Sequence, residues 1–327
     1  MAVRTFIEAI RTALASEMRR DPAVIVLGED VGVKGGVFLA TDGLFGEFGP
    51  ERVIDTPLTE SLIVGASIGA AVNGLRPVPE IQFADFIMPA FNQIVSEAAR
   101  MRYRSNGTFG CPITIRSPFG GGVHGALYHS QSLEAFFTHV PGLKVVIPST
   151  PHDAAGLLRS SIRDPDPVLF FEHKKLYRSV RGEVPDSDFT VPLGKAQVTR
   201  SGTQITVIGY GLMAHHALDA ADLVESEGIS AEVIDVRTLR PLDLDTLLSS
   251  VRRTGKCVVV YEDNKFGGYG AEISAILAEE AFDFLDGPIL RVAGPDVPAV
   301  PYAQTLEEWF MVHPDTIADA IRRLAAY

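Results

Sequence analysis

Cysteine is nearly absent: Cys111 and Cys257 are the only two in 327 residues. They stand too far apart for a zinc, iron–sulfur or dithiol spacing and read as packing residues of a reducing compartment. Long apolar runs are missing too. The stretch Ser61 to Leu75 is free of charge over 15 residues, short of the roughly 20 that a membrane helix needs. Met1 to Glu8 contains Arg4 and Glu8 and no continuous apolar core, so no secretory signal is expected. Basic residues are outnumbered, 29 to 41, for a formal net charge of -12, which argues against nucleic acid or an anionic membrane as partner. No internal repeat or low-complexity tract interrupts the chain.

What is present is a globular balance of 46% hydrophobic and 21% charged residues in a chain long enough for two α/β domains. Strand-like runs at Val24 to Gly28, Val53 to Asp55, Val78 to Phe83, Pro112 to Arg116, Leu143 to Pro148 and Val168 to Glu172 alternate with helix-like stretches such as Phe91 to Arg104 and Ala154 to Arg163. That alternation predicts a mostly parallel sheet covered by helices. Residues 181–190, polar and turn-rich, read as a linker between a domain over 1–180 and a smaller α/β domain over 191–327. In the second domain, strands are expected at Ile205 to Tyr210, Ala231 to Val236 and Cys257 to Tyr261.

The run Asp55-Thr56-Pro57-Leu58-Thr59-Glu60 follows a short strand and precedes a helix of small residues. Glu60 therefore falls at a strand's carboxyl end, where open α/β sheets bind ligands. By itself a glutamate there complements the helix dipole, worth roughly 0.3–1 kcal/mol; in a dry pocket it could also bond a heterocyclic cofactor. Gly65 and Gly69, four residues apart, predict a close helix contact, either within the domain or with another subunit. About seventy residues on, the glycine-rich Phe119 to Gly125 leads to Tyr128-His129-Ser130-Gln131-Ser132, and a histidine there can hold or move a proton. The glycine run is read as a loop bringing backbone close to a ligand, not as a phosphate fingerprint.

These runs, together with Leu27-Gly28-Glu29-Asp30-Val31, Gly74-Leu75-Arg76-Pro77, Pro141 to Val146, Leu176-Tyr177-Arg178, Asp235-Val236-Arg237-Thr238 and Thr254-Gly255-Lys256, resemble, nearly end to end, the β-subunit of the thiamine diphosphate-dependent decarboxylase of 2-oxo acid dehydrogenase complexes. The resemblance implies two mostly parallel-sheet α/β domains: a transketolase-like pyrimidine-binding domain and a transketolase C-terminal-like domain. It also implies that Glu60 assists deprotonation of the cofactor, that Leu58, Gln82 and Phe86 line the aminopyrimidine pocket, and that His129 assists near the substrate. A 2-oxo acid is decarboxylated and its acyl unit passed to a lipoyl group. The Gly-Asp-Gly element that anchors magnesium and diphosphate in thiamine enzymes does not occur here, so Mg2+ and the diphosphate are expected on a separate α-subunit in an α2β2 heterotetramer. The resemblance further implies a potassium ion on backbone carbonyls around Ile113, Ser161, Asp164 and Asp166, a lipoyl domain and acyltransferase core as partners, and a cytoplasmic setting. The stretch Gly125 to Phe137 is closer to branched-chain enzymes than to pyruvate ones. Pyruvate or acetoin enzymes, a self-sufficient transketolase and a non-catalytic scaffold subunit are the alternatives. Tyr261-Glu262-Asp263 reads as structural.

Overall fold

The structure, a computed structural model, describes residues 1–327. The chain divides into two compact units: residues 1–119 with 136–193, and residues 120–135 with 194–327.

In the first unit six parallel strands lie side by side in the order Lys144–Val146, Val168–His173, Thr114–Phe119, Arg76–Glu80, Val24–Gly28 and Val53–Asp55. The inner strands Val24–Gly28, Thr114–Phe119 and Val168–His173 are buried at every position, as expected of a sheet covered on both faces. Pro77 and Pro79 sit in a central strand, where proline is normally excluded. Arg76 and Ile81 explain why they are tolerated. The Arg76 amide donates toward Ala23 on one side, and the Ile81 amide toward Arg116 on the other. The alternation of the pleat therefore turns both missing amides toward Thr114–Phe119, and that side keeps a single residue pairing, Glu80 with Arg116.

The first helix, Phe6–Arg20, opens with a capping box between Thr5 and Glu8. It packs on Pro151–Arg163, where Arg163 reaches Glu17 at 2.6 Å. Residues 181–190 do not begin as a linker. Arg181–Val184 form a strand antiparallel to Ala2–Thr5, an exposed edge pairing whose polar sequence carries little strand signal. The expected helix Phe91 to Arg104 is broken into a π-helical turn at Gln93–Ala98 and a short helix Met101–Arg104.

The second unit holds a five-stranded sheet ordered Leu290–Gly294, Cys257–Asn264, Ile205–Gly209, Ala231–Asp235 and Gln197–Arg200. Only the last strand is antiparallel to its neighbour. Helices Leu212–Glu225, Leu244–Thr254, Tyr269–Glu280 and Pro314–Ala325 accompany it. Both units are thus mostly parallel α/β. No helix is long and apolar enough to cross a membrane.

Candidate active site

Glu60 is the first residue of the helix Glu60–Val72, directly after the turn that leaves Val53–Asp55. Backbone bonds set that turn: the Thr56 amide donates to Gly28 at 2.9 Å, and the Gly32 amide to the Asp55 carboxylate at 2.6 Å. A Cβ on Gly32 would lie 2.5 Å from Asp55 Oδ2, so a larger residue there would displace the Asp55 carboxylate that the Gly32 amide bonds. Glu60 is half-buried and Leu58 is 63% exposed. Glu29 follows the neighbouring strand Val24–Gly28 and feels the Glu60 charge. Its carboxyl is pushed up by burial first, then by Asp30 and Glu60. Sequence reasoning quoted this residue only as part of a motif; the signal was its place one strand over, where parallel strands end together.

The next strand, Arg76–Glu80, delivers Gln82 and Phe86, both half-buried. The Phe86 ring is met edge-on by Phe83, with centroids 5.8 Å apart, and Phe83 in turn by Phe38 at 5.5 Å. The Lys174 ammonium lies 5.8 Å from the Phe83 ring centre. Phe86 is thus part of a cluster of aromatic rings, the kind of flat apolar surface on which a heterocycle can stack. Behind this group lies a fully buried ion network: Arg116 donates to Glu80 at 2.6 Å and to both oxygens of Glu172 at 2.6 and 2.8 Å, and Tyr177 donates to Glu172 at 2.6 Å. Leu58, Glu60, Glu29, Gln82 and Phe86 thus leave the carboxyl ends of three adjacent parallel strands.

The helix after Glu60 is apolar all round. Ile63, Val64, Ser67, Ile68 and Ala71 are buried, while Leu62, Ala66 and Gly69 are exposed. The two glycines differ: a Cβ on Gly65 would sit 3.8 Å from Gln93, whereas Gly69 faces open space. A helix without a polar face is normally covered, so one glycine serves packing inside the unit and the other lies on a face left bare.

His129 is half-buried and belongs to the second unit, whereas Glu60 belongs to the first. It follows a short 3-10 turn, Ala126–Tyr128. Gly120, Gly122 and Gly125 do stand at GxGxxG spacing. No α-helix follows them to receive a phosphate, and the amides of Gly122 and His124 instead donate to the Glu307 carboxylate. His215 and His216 lie on Leu212–Glu225, where His216 Nδ1 is 2.8 Å from the Val312 carbonyl.

The second unit also holds a buried acid group. Tyr210 donates to Glu134 Oε1 at 2.9 Å, and Glu134 Oε2 is buried with no hydrogen-bond partner. Burial, then the nearby Asp263, pushes the Glu134 carboxyl up to about 8. Burial, with Glu262 adding to it, pushes Asp263 up to about 6. Both values exceed those of the unfolded chain, so the folded protein keeps protons that the unfolded chain releases. This contribution is full below about pH 4 and is lost as pH rises, at roughly 1 kcal/mol per pH unit for each group. Of these two groups Glu134, the higher, carries most of the change between pH 6 and 8. Glu134→Gln should therefore flatten the fall in melting temperature over that window; an unchanged slope would show that another group sets it.

The residues proposed for potassium bracket one turn. The Ile113 carbonyl accepts from the Val168 amide at 3.0 Å and the Ser161 carbonyl from the Asp164 amide at 3.2 Å. The Asp164 carbonyl accepts from Arg76 at 3.2 Å. Each of these carbonyls keeps a second lone pair. The Asp164 carboxylate is occupied by Lys144 at 2.6 Å and that of Asp166 by Arg102 at 2.6 Å.

Comparison with known proteins places this geometry. Residues 3–180 match the family of the transketolase pyrimidine binding domain, and residues 194–317 that of the transketolase C-terminal domain. These matches define the class, a transketolase-like pair of α/β domains. A solved structure described as a split gene transketolase, an inactive beta4 tetramer, superposes with a TM-score of 0.80 at 25% identity, covering 98% of each chain. The 2-oxoisovalerate dehydrogenase subunit beta of Bacillus subtilis (strain 168) is 58% identical over 327 residues, 100% of both chains. The pyruvate dehydrogenase E1 component subunit beta of the same organism is 52% identical over 320 residues, 98% of both. The chain belongs to the family of 2-oxo acid dehydrogenase β-subunits.

Proposed function

We propose that this chain supplies the aminopyrimidine half of a thiamine diphosphate site, with an α-subunit providing the diphosphate and Mg2+ half in an α2β2 assembly. The observation that carries the reading is the convergence of Glu60, Leu58, Gln82 and Phe86 at the carboxyl ends of adjacent parallel strands, with Leu58 exposed and awaiting cover. Thiamine diphosphate, when bound, supplies the nucleophilic carbon and the electron sink needed to decarboxylate a 2-oxo acid. Glu60 would supply a carboxyl to a ring nitrogen of the aminopyrimidine. Phe86 would provide an apolar surface for the ring, Gln82 an amide for one of its polar edges, and Leu58 cover against water. His129 holds or moves a proton beside the substrate. The bare face at Leu62, Ala66 and Gly69 packs on a neighbouring subunit.

The identity to the 2-oxoisovalerate enzyme over the full chain favours a branched-chain 2-oxo acid, with pyruvate as the alternative. The acyl unit goes to a lipoyl domain of an acyltransferase core, in a cytoplasmic complex. Residues 1–180 form the cofactor-binding domain and 191–327 the domain for assembly contacts. A potassium ion on the carbonyls of Ile113, Ser161, Asp164 and Asp166 would fix the turn that also meets Arg76.

The test is calorimetric titration of thiamine diphosphate with magnesium into the chain alone and into the chain with its co-expressed α-subunit. Binding only by the mixture is expected, and tight binding by the chain alone would sink the shared site. Replacing potassium with sodium should lower the melting temperature of the chain; an equal melting curve would remove the ion.

A further inference from the structure

The His129 loop is held by carboxylates rather than by its own sequence. Its backbone is unfavourable: Gly120 and Gly122 take positive φ, as do the non-glycine residues His124 (57°) and Ala126 (55°), a conformation that surrounding contacts must sustain. Two buried glutamates supply them. One oxygen of Glu262 accepts from the Gly121 amide at 2.7 Å and from the Ser132 hydroxyl at 3.2 Å, so it ties together the two feet of the loop. The Gly120 amide donates to the Gln131 carbonyl at 3.1 Å across the same neck. Glu307, 185 residues along the chain, accepts from the Gly122 amide at 2.9 Å and the His124 amide at 3.1 Å, and its other oxygen lies 2.5 Å from His124 Nδ1.

Both carboxylates are nearly inaccessible, at 5% and 2% exposure, and charged acceptors make the stronger hydrogen bonds to backbone amides. At Gly125 there is no room for a side chain: a Cβ would lie 2.7 Å from the His129 carbonyl. Gly294 packs so closely on Glu262 that a Cβ there would lie 2.6 Å from the Glu262 carbonyl.

We propose that Glu262 and Glu307 are positioning residues of the decarboxylation reaction, setting the place of His129 by clamping the neck and the crown of its loop. This rests on the reading of His129 as a substrate-side group. A residue that must meet a substrate within about 0.5 Å needs such a supporting shell.

The test uses the chain assembled with its α-subunit. Glu262→Gln and Glu307→Gln should each lower kcat about tenfold or more while changing KM for the 2-oxo acid less, and should cost under twofold further when added to His129→Ala. Unchanged kcat in the single variants, or losses that multiply with that of His129→Ala, would overturn the proposal. If His129→Ala itself leaves kcat intact, the reading of His129 has failed. Hydrogen exchange of residues 120–132 then decides the clamp: faster exchange in Glu307→Gln supports it and unchanged exchange overturns it. If Glu307→Gln does not fold, His124→Asn removes the Nδ1 contact while tolerating the left-handed backbone, and the same two measurements apply with the same outcomes.

Discussion

Glu60→Gln in the assembled enzyme should lower kcat by about 10²–10⁴-fold, the range attributed to a positioned proton-transfer group, with thiamine diphosphate affinity changed far less. Glutamine keeps the length and an acceptor oxygen of glutamate, so the turn from Asp55 to the helix start has no reason to move. It loses the ability to carry a proton to the ring nitrogen. The competing role is electrostatic: a carboxylate on the first helical residue, where Thr59 contributes no side-chain cap, complements the helix dipole for roughly 0.3–1 kcal/mol. The two roles separate cleanly. A small fall in melting temperature with kcat held within twofold would assign Glu60 to the helix; loss of turnover with an unchanged melt assigns it to the cofactor.

Arg116→Met should destabilise the first unit by about 3–5 kcal/mol, the usual cost of removing one partner from a buried ion pair. Arg116 is fully buried between Glu80 and Glu172. Methionine roughly fills the stem volume but leaves the two carboxylates without their cation, with only the Tyr177 hydroxyl still donating to Glu172. Burial, with the charge of Glu172 adding to it, already pushes the Glu80 carboxyl up, and Arg116 is what opposes this. At about 2–4 °C per kcal/mol for a unit of this size, the melting temperature should drop by roughly 6–20 °C. A drop under about 2 °C would mean that water or a neighbouring cation replaces the guanidinium. The loss should extend to the site, because Glu80 ends the strand that delivers Gln82 and Phe86.

Much of the sheet was legible because buried parallel strands write themselves as unbroken apolar runs; Val24–Gly28 is one such strand. The strand at Arg76–Glu80 was displaced toward Phe83 in the reading because Pro77 and Pro79 argue locally against a strand, and only the one-sided ladder makes them acceptable. Gln197–Arg200 and Leu290–Gly294 went unread: the first is an edge strand of mostly exposed residues, and the second is a short edge strand, Leu-Arg-Val-Ala-Gly, too brief to show a period. The site divides in the same way. Glu60 was found from local order: a strand end, a turn, a helix. Gln82 and Phe86 were singled out only through the family resemblance, whereas His129 also stood out by its place after a glycine-rich run. Glu307 was invisible because its partners lie more than 180 residues away, and nothing in its own helix sets it apart. Glu262 was seen but read as structural, and its bonds to Gly121 and Ser132 exist only once the loop has folded back.

The two cysteines fall one to each unit, Cys111 in the first and Cys257 in the second, and both are buried. Burial pushes the Cys111 thiol up to about 12 and Cys257 higher still, so the native chain presents no thiolate to an alkylating reagent. The protein therefore carries a pair of built-in opening counters. Slow labelling of each sulfur under native conditions times how often its own unit comes apart, and the difference between the two rates ranks the units by stability without a single engineered probe.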